Sequence, residues 1–152
     1  MSEMILPGAW HTLFDGTALE QKLSVSALLA TTDEEGWPHV SFLSAGEVLV
    51  TSRDQMRLTV WGQSTTAANM QRNGRAAFFA VADGMVVEAR LAVETLTAGE
   101  GGRAIFAARL ATLRPHRAPY AEVEGLIAFR LADRSGTLDR WREQVAAMQE
   151  AG

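Results

Sequence analysis

The chain has 152 residues, of which 47% are hydrophobic, and its formal net charge is −4. This length predicts one domain, spanning residues 1–152, with enough apolar residues to fill a core. The absence of cysteine excludes disulfides, iron–sulfur clusters, thiolate zinc sites and a cysteine nucleophile, and the acidic balance argues against a nucleic-acid partner.

We expect no targeting signal in the N-terminal residues. Residues 1–7 lack the basic region and the long apolar stretch of a signal peptide. No apolar run in the chain reaches the roughly 20 residues that a membrane-spanning helix needs. We therefore expect a cytoplasmic protein without a membrane partner. Residues 8–22 predict one or two helical turns, with Asp15 or Thr17 as the cap.

Extended stretches and polar turns alternate up to residue 61. Residues 25–32 and 37–45 are apolar and suited to strands, and the acidic, glycine-containing turn at 33–36 between them predicts a hairpin. Residues 47–51 and 57–61 predict a third and a fourth strand.

After residue 61, the spacing of apolar residues changes from that of a strand to that of a helix. Residues 64–72 predict a short helix that begins at a good N-cap, Ser64, and stops at an Asn-Gly pair. Residues 75–82 and 85–96 predict two long strands joined by an Asp-Gly pair, a strong hairpin signal.

The last third of the chain is predicted to contain both helices and a strand. A flexible hinge is expected at residues 99–102, followed by a helix at 104–113, where apolar residues recur at helical spacing. Residues 125–131 predict a last strand, and residues 138–148 an amphipathic helix. The apolar stripe of that helix consists of Leu138, Trp141, Val145 and Met148. Consecutive hairpins imply antiparallel pairing, and a long sheet usually closes on itself to hide its edges, so we predict a mainly β (α+β) barrel with attached helices.

The order of several short motifs resembles the pyridoxamine 5′-phosphate oxidase-like FMN-binding split-barrel superfamily. These motifs are the turn at 36–40 (GWPHV), a strand that ends in Trp61, the hydroxyl cluster at 64–66 (STT) and residues 69–79 (NMQRNGRAAFF). The resemblance covers roughly residues 24–96. It implies a six-stranded antiparallel split β-barrel of the Greek-key type with flanking helices. It also implies an obligate homodimer that holds FMN in two equivalent clefts at the subunit interface.

The resemblance also implies which residues contact the cofactor. In the family they come from the second strand, the end of the strand before the helix, and the hydroxyl cluster. In this sequence those positions are Ser41, Phe42, Leu43, Ser44, Val60, Trp61, Ser64, Thr65 and Thr66. Basic residues of the family are replaced here by Ser41 and Gly46 on the strand and by Thr65 and Thr66 in the cluster, which argues against vitamin B6 oxidation in particular.

The helix start at residues 64–66 is suited to an anion. First-turn N–H groups lack intrahelical partners, and the helix dipole favours a negative charge by about 0.3–1 kcal/mol. A flavin phosphate would also need a cation, and Arg53, Arg57 and Arg75 are nearest in sequence. The alternative is an ordinary N-cap with two surface threonines. Likewise, Trp61 can stack beside an isoalloxazine ring, line the subunit interface, or simply pack against the barrel.

Other candidate sites are weaker. His11, His39 and His116 are far apart and lack metal-ligand spacing, so we expect no metal site. The acidic turn at 33–35 is typical of a solvated loop. The glycines at 99–102 do not form a dinucleotide-binding fingerprint.

Three functions follow for this chain. The first is an FMN-dependent oxidoreductase acting on an unknown small molecule, in which the ring carries hydride or electrons. The second is a non-catalytic protein that binds FMN, a deazaflavin or haem. The third is a dimeric scaffold without a cofactor.

Overall fold

A computed structural model of the chain describes residues 4–152. Its three helices are α1 (Gly8–Leu13), α2 (Thr65–Asn73) and α3 (Arg134–Glu150), and a single 3₁₀ turn spans Leu19–Gln21. The strands are β1 (Ser26–Thr32), β2 (Pro38–Ser44), β3 (Val48–Val50), β4 (Gln55–Trp61), β5 (Arg75–Ala82), β6 (Met85–Thr97) and β7 (Arg103–His116). No helix among the described residues is long and apolar enough to cross a membrane.

All neighbouring strands pair antiparallel in one sheet, in the order β2-β1-β5-β6-β7-β4-β3. The chain leaves β4, passes through α2 and returns by way of β5 and β6 to place β7 beside β4, which is a Greek key. The sheet curls into a half-barrel, as the split-barrel resemblance implies. It has seven strands and not the six that the resemblance implies, and the short β3 forms one edge of the sheet by pairing with β4.

The local signals between residues 25 and 97 are confirmed. The β1–β2 and β5–β6 hairpins form as predicted, and Asp83 and Gly84 both have positive φ (53° and 75°), as a type I′ turn requires. Ser64 caps α2, and Gly74 ends it in the left-handed conformation.

The predicted cap at Asp15 or Thr17 is wrong. The helical segments of this region begin after Pro7 and Ala18. The Asp15 carboxylate instead accepts hydrogen bonds from the Thr17 backbone N–H and hydroxyl and from the Lys22 ammonium, each at 2.8 Å. Asp15 therefore stabilises a turn between the two segments.

The helix predicted at residues 104–113 is wrong, since this stretch lies within the strand β7. It pairs with β4 on one side and β6 on the other, so it is a central strand of the sheet. Ala104, Phe106, Ala108 and Leu110 alternate into the main core. An alanine-rich sequence is compatible with the periodicity of a helix and with that of a strand. Pairing with two neighbouring strands decided in favour of the strand.

The strand predicted at residues 125–131 is also wrong. This stretch belongs to an irregular segment, residues 117–133, which we call the C-terminal strap. The hydroxyl of Ser26 donates to the Ile127 carbonyl oxygen (3.4 Å) and accepts from the Ile127 N–H (3.3 Å), and Phe129 makes an edge-to-face contact with Phe42. The strap thus rests on the first hairpin through isolated contacts and not through a backbone ladder.

Two apolar clusters lie on opposite faces of the sheet. Inside the half-barrel, Phe78 packs edge-to-face against both Trp10 and Phe14, with ring centroids 5.1 and 5.6 Å apart. On the outer face, the predicted stripe of α3 is buried against Leu49 and Ile105. Thus α3 covers the β3–β4–β7 part of the outer face.

Candidate functional site

The site is built where α2 meets β2. The hydroxyls of Ser41 on β2 and Thr66 on α2 are hydrogen-bonded, and Thr66 is buried. Alternation along β2 turns Ser41 towards α2, while α2 contacts strands from both ends of the sheet, β2 and β4 among them. The structure therefore brings two of the predicted cofactor-binding elements together at one rim of the half-barrel.

The three hydroxyls at the start of α2 have different surroundings. The Ser64 hydroxyl accepts from the Ala67 N–H at 3.1 Å and so serves as the N-cap, and that of Thr66 is bound to Ser41. Thr65 is exposed. The backbone N–H groups of Thr65 and Thr66 have no acceptor among the described residues. Because Thr66 is buried and does not line the cavity beside the helix start, the donors exposed for a ligand are the hydroxyl and the backbone amide of Thr65.

A cavity of 340 Å³ lies beside this helix start. Thr65, Asn69 and Arg72 line it from α2, and the acidic turn at 33–35 lines it from the first hairpin. The Arg72 guanidinium donates to the Asn69 amide oxygen (3.2 Å) and to the Thr32 carbonyl oxygen, which ties α2 to the end of β1. Arg72 therefore supplies a positive charge beside the predicted phosphate position. It was not among the arginines proposed from the sequence for this role. Its i, i+4, i+7 spacing with Asn69 and Thr65 is the signal that would have found it.

The three arginines named from the sequence line other parts of the surface. Arg57 donates to the carbonyl oxygens of Met148 (2.6 Å) and Ala151 at the end of α3. Arg53 lies in the β3–β4 turn, and Arg75 lines a groove on the outer face of the sheet.

The β2 and β4 residues of the predicted set divide between the two faces of the sheet. Leu43 and Val60 point into the core of the half-barrel. Phe42 and Trp61 point outward and are 42% and 51% exposed. Exposed aromatic rings of this size are typical of binding surfaces.

Ser44 belongs to a separate polar network. Its hydroxyl and N–H both donate to one carboxylate oxygen of Glu47 (2.9 and 3.0 Å). The other oxygen of Glu47 accepts from Arg103 (2.9 Å), which also donates to the Thr59 carbonyl oxygen. The Ser44 hydroxyl thus holds the β2–β3 turn against β4 and β7, and it does not meet Ser41 and Thr66.

A second charged cluster lies on the outer face, on β6 and β7. The Glu88 carboxylate accepts from Arg90 Nε (2.9 Å) and is hydrogen-bonded to His116 Nε2 (3.1 Å). Burial by itself would raise the pKa of Glu88, but these two partners outweigh it and the pKa is lowered from its ordinary value. Among residues 4–152, no cluster of three or more histidines and carboxylates could hold a metal ion.

No family model matches the chain. Its family is shown by one relative of similar length. The chain is 31% identical over 134 residues to the uncharacterised protein YclD of Bacillus subtilis (strain 168), a match that covers 86% of this chain and 87% of YclD.

The fold recurs in several solved structures of low sequence identity. A candidate pyridoxamine 5′-phosphate oxidase from Lactobacillus delbrueckii gives a TM-score of 0.55 at 15% identity, over 72% of this chain and 93% of that one. HupZ from Group A Streptococcus gives 0.57 at 12% identity, over 78% and 99%. An F420 reductase gives 0.53 at 16% identity, over 72% and 98%. The chain therefore belongs to the family of YclD and has the fold of the pyridoxamine 5′-phosphate oxidase-like split-barrel superfamily.

Proposed function

We propose that this protein is a homodimer that binds FMN, or a deazaflavin in its place, and acts as an oxidoreductase on a small molecule. One observation carries the proposal. The three elements that the resemblance assigns to the cofactor, namely β2, the end of β4 and the start of α2, are neighbours in the fold, and Ser41 is hydrogen-bonded to Thr66 where two of them meet. Similarity of fold to an F420 reductase and to a candidate pyridoxamine 5′-phosphate oxidase supports a cofactor of this chemical type.

The start of α2 is the proposed position for the cofactor phosphate. The N–H group and the hydroxyl of Thr65 and the positive end of the helix dipole all favour an anion there. The Arg72 guanidinium lines the same cavity. The carboxylates of the turn at 33–35 also line it and oppose a dianion, so the phosphate needs more positive charge than Arg72 alone supplies.

The outer face of the sheet is the proposed position for the ring and for the second subunit. Phe42 and Trp61 offer aromatic surface to an isoalloxazine ring. Trp37 and Val40 are exposed as well, at 68% and 57%. Apolar side chains concentrated along one edge strand are expected to be covered in the working protein, and a second copy of the chain would cover them.

The bound ring would supply the redox chemistry by accepting or donating hydride or electrons. The chain's own residues would bind the phosphate, orient the ring against Trp61 and exclude water at the subunit interface. No residue of this site has to act as an acid or base for such a transfer.

The site also supports a second candidate, a dimeric scaffold without a cofactor. Two of the three hydroxyls at the start of α2 already have partners within the chain, on the Ala67 N–H and on Ser41. Three carboxylates stand opposite them. Such a protein would keep the dimer but would not take up a flavin.

Absorption of the purified protein separates these functions. A flavin band between about 350 and 500 nm, bleached by dithionite or NAD(P)H and restored by an oxidant, is expected for the oxidoreductase. Colour without turnover would indicate a binding protein. A colourless protein that takes up neither FMN nor F420 on titration would contradict the proposal and leave the scaffold. Sedimentation at micromolar concentration tests the dimer, and a stable monomer there would contradict the interfacial cleft.

A further inference from the structure

The outer face of the sheet carries a groove of 580 Å³ that is separate from the cavity at the start of α2. Its floor is mainly apolar and is formed by small side chains of β1, β5, β6 and β7, such as Ala30, Ala77 and Ala111. Ligand pockets commonly enclose about 300–1,000 Å³ and combine apolar walls with a few charged groups. The charged groups of this groove are Arg75 and Arg90.

The strand register places these two arginines side by side. Arg75 pairs with Ala92, and Ala77 pairs with Arg90, so the arginines are diagonal neighbours on adjacent strands. Both project outward, since Ala76 and Leu91, next to them in sequence, point into the core. Diagonal neighbours lie about 7–8 Å apart at the backbone, within reach of one small anion for side chains of this length.

The Arg90 side chain is oriented by Glu88, which lies two residues before it on β6. Its Nε donates to Glu88 Oε2 at 2.9 Å, and the Glu88 side chain is 11% exposed whereas that of Arg90 is 61% exposed. The two outer nitrogens of Arg90 make no hydrogen bond to a described residue. A guanidinium anchored at Nε and free at its outer edge is arranged for a forked contact to phosphate or carboxylate.

Arg75 is bound to no carboxylate of residues 4–152, although Glu94 is its other diagonal neighbour on β6 and lies outside the groove. Within residues 4–152 its side chain makes no hydrogen bond or ion pair. Like charges on adjacent strands are destabilising unless an anion lies between them. Among the described residues, Glu88 is the one carboxylate bound to either guanidinium. The two arginines together therefore keep a net positive charge above the apolar floor of the groove.

We propose that the Arg75–Arg90 groove is an anion-binding site for a ligand with a phosphate or carboxylate end and a planar apolar body. The anion lies between the two guanidiniums, and the body covers the alanine floor. This inference goes beyond the proposed function because it stands on the groove's own charge and shape. Two sources fit the same chemistry. One is the phosphate end of a flavin, presented by a second copy of the chain, and the other is an anionic aromatic substrate.

Titration of R75A with three probes tests the site. FMN carries the phosphate, riboflavin has the same ring without it, and 1-naphthoate is an aromatic carboxylate unrelated to flavin. The Arg75 side chain has no hydrogen-bond or ion-pair partner within the described residues, so R75A breaks no polar contact of the fold. R114A is the matched control, because Arg114 is exposed on the same face, directly opposite Glu88, and lies outside the groove. A thermal melt of each variant verifies folding, and R75A/R90A measures the pair together.

The expected result is a loss of at least about tenfold in affinity for one anionic probe, since a hydrogen bond between two charged groups typically contributes about a factor of ten or more. Weaker FMN binding with unchanged riboflavin binding assigns the groove to the flavin phosphate. Weaker 1-naphthoate binding alone assigns it to an anionic substrate. A wild-type protein that takes up no flavin but binds 1-naphthoate through Arg75 would refute the proposed function and keep this site. Changes below about twofold relative to R114A, or a wild-type protein that binds neither FMN nor 1-naphthoate, would overturn it.

Discussion

Ser64 allows the helix cap of α2 and its proposed ligand to be tested separately. The Ser64 hydroxyl caps the helix through the Ala67 N–H, whereas the exposed donors for an anion belong to Thr65. Asparagine and aspartate cap helices as well as serine does, so S64N and S64D should both keep the helix. S64D adds a negative charge, and S64N does not. The two variants therefore differ in electrostatics but not in capping.

The size of the difference follows from Coulomb's law. One helical turn rises about 5.4 Å, so an anion on the first-turn amides lies within about 8 Å of residue 64. At that separation, with an effective dielectric constant of about 20, each unit of phosphate charge is repelled by about 2 kcal/mol, or roughly thirtyfold in affinity. FMN should therefore bind S64D at least about thirtyfold more weakly than S64N.

Flavin fluorescence titration measures this ratio, and riboflavin serves as the uncharged control. Riboflavin should bind both variants equally, and their melting temperatures should agree within a few degrees of the wild type. Equal FMN affinity for S64D and S64N, in variants with intact helices, would refute the assignment of the phosphate to the start of α2.

Three further predictions concern stability, each measured by urea unfolding. The pKa of Glu88 is lowered below its ordinary value of 4.5, so the charged form stabilises the folded protein above that pH, and this contribution is lost as the pH falls through the lower folded-state pKa. Wild type should therefore lose more unfolding free energy than E88Q between pH 7 and pH 3, and equal losses would contradict the reasoning. G46A should destabilise by about 1–3 kcal/mol, because an added Cβ would lie 2.0 Å from Trp141 Cγ, whereas G125A, with open space around it, should not. K22M should cost about 1–2 kcal/mol, since the Lys22 ammonium makes two partly buried contacts at 2.7 and 2.8 Å; a loss near zero would mean that water replaces them.

Local sequence signals predicted the elements that depend on neighbouring residues. The Asp-Gly turn between β5 and β6, the Ser64 cap and the Gly74 stop all formed where expected, because each is decided by backbone conformation within a few residues. The stripe of α3 was equally readable, since helical spacing places Trp141 and its partners on one face.

The errors fell where local preference is weak. Residues 104–113 are rich in alanine, which suits a helix in isolation, but β4 and β6 offer hydrogen bonds along both edges of this segment. Residues 125–131 have the composition of a strand, yet they form no ladder with β2, the edge strand of the first hairpin, and contact that hairpin only through single contacts such as that of Phe129 with Phe42.

The candidate site shows the same division. The sequence by itself determined the hairpins, the helix start at Ser64 and the set of residues that the split-barrel resemblance assigns to the cofactor. Only the tertiary structure decided that Thr66 is bound to Ser41, that Arg72 lines the cavity and that Arg75 and Arg90 stand together on the outer face. Turns and caps are short-range, whereas these contacts join residues far apart in the chain, and their positions depend on strand register and on the curl of the whole sheet.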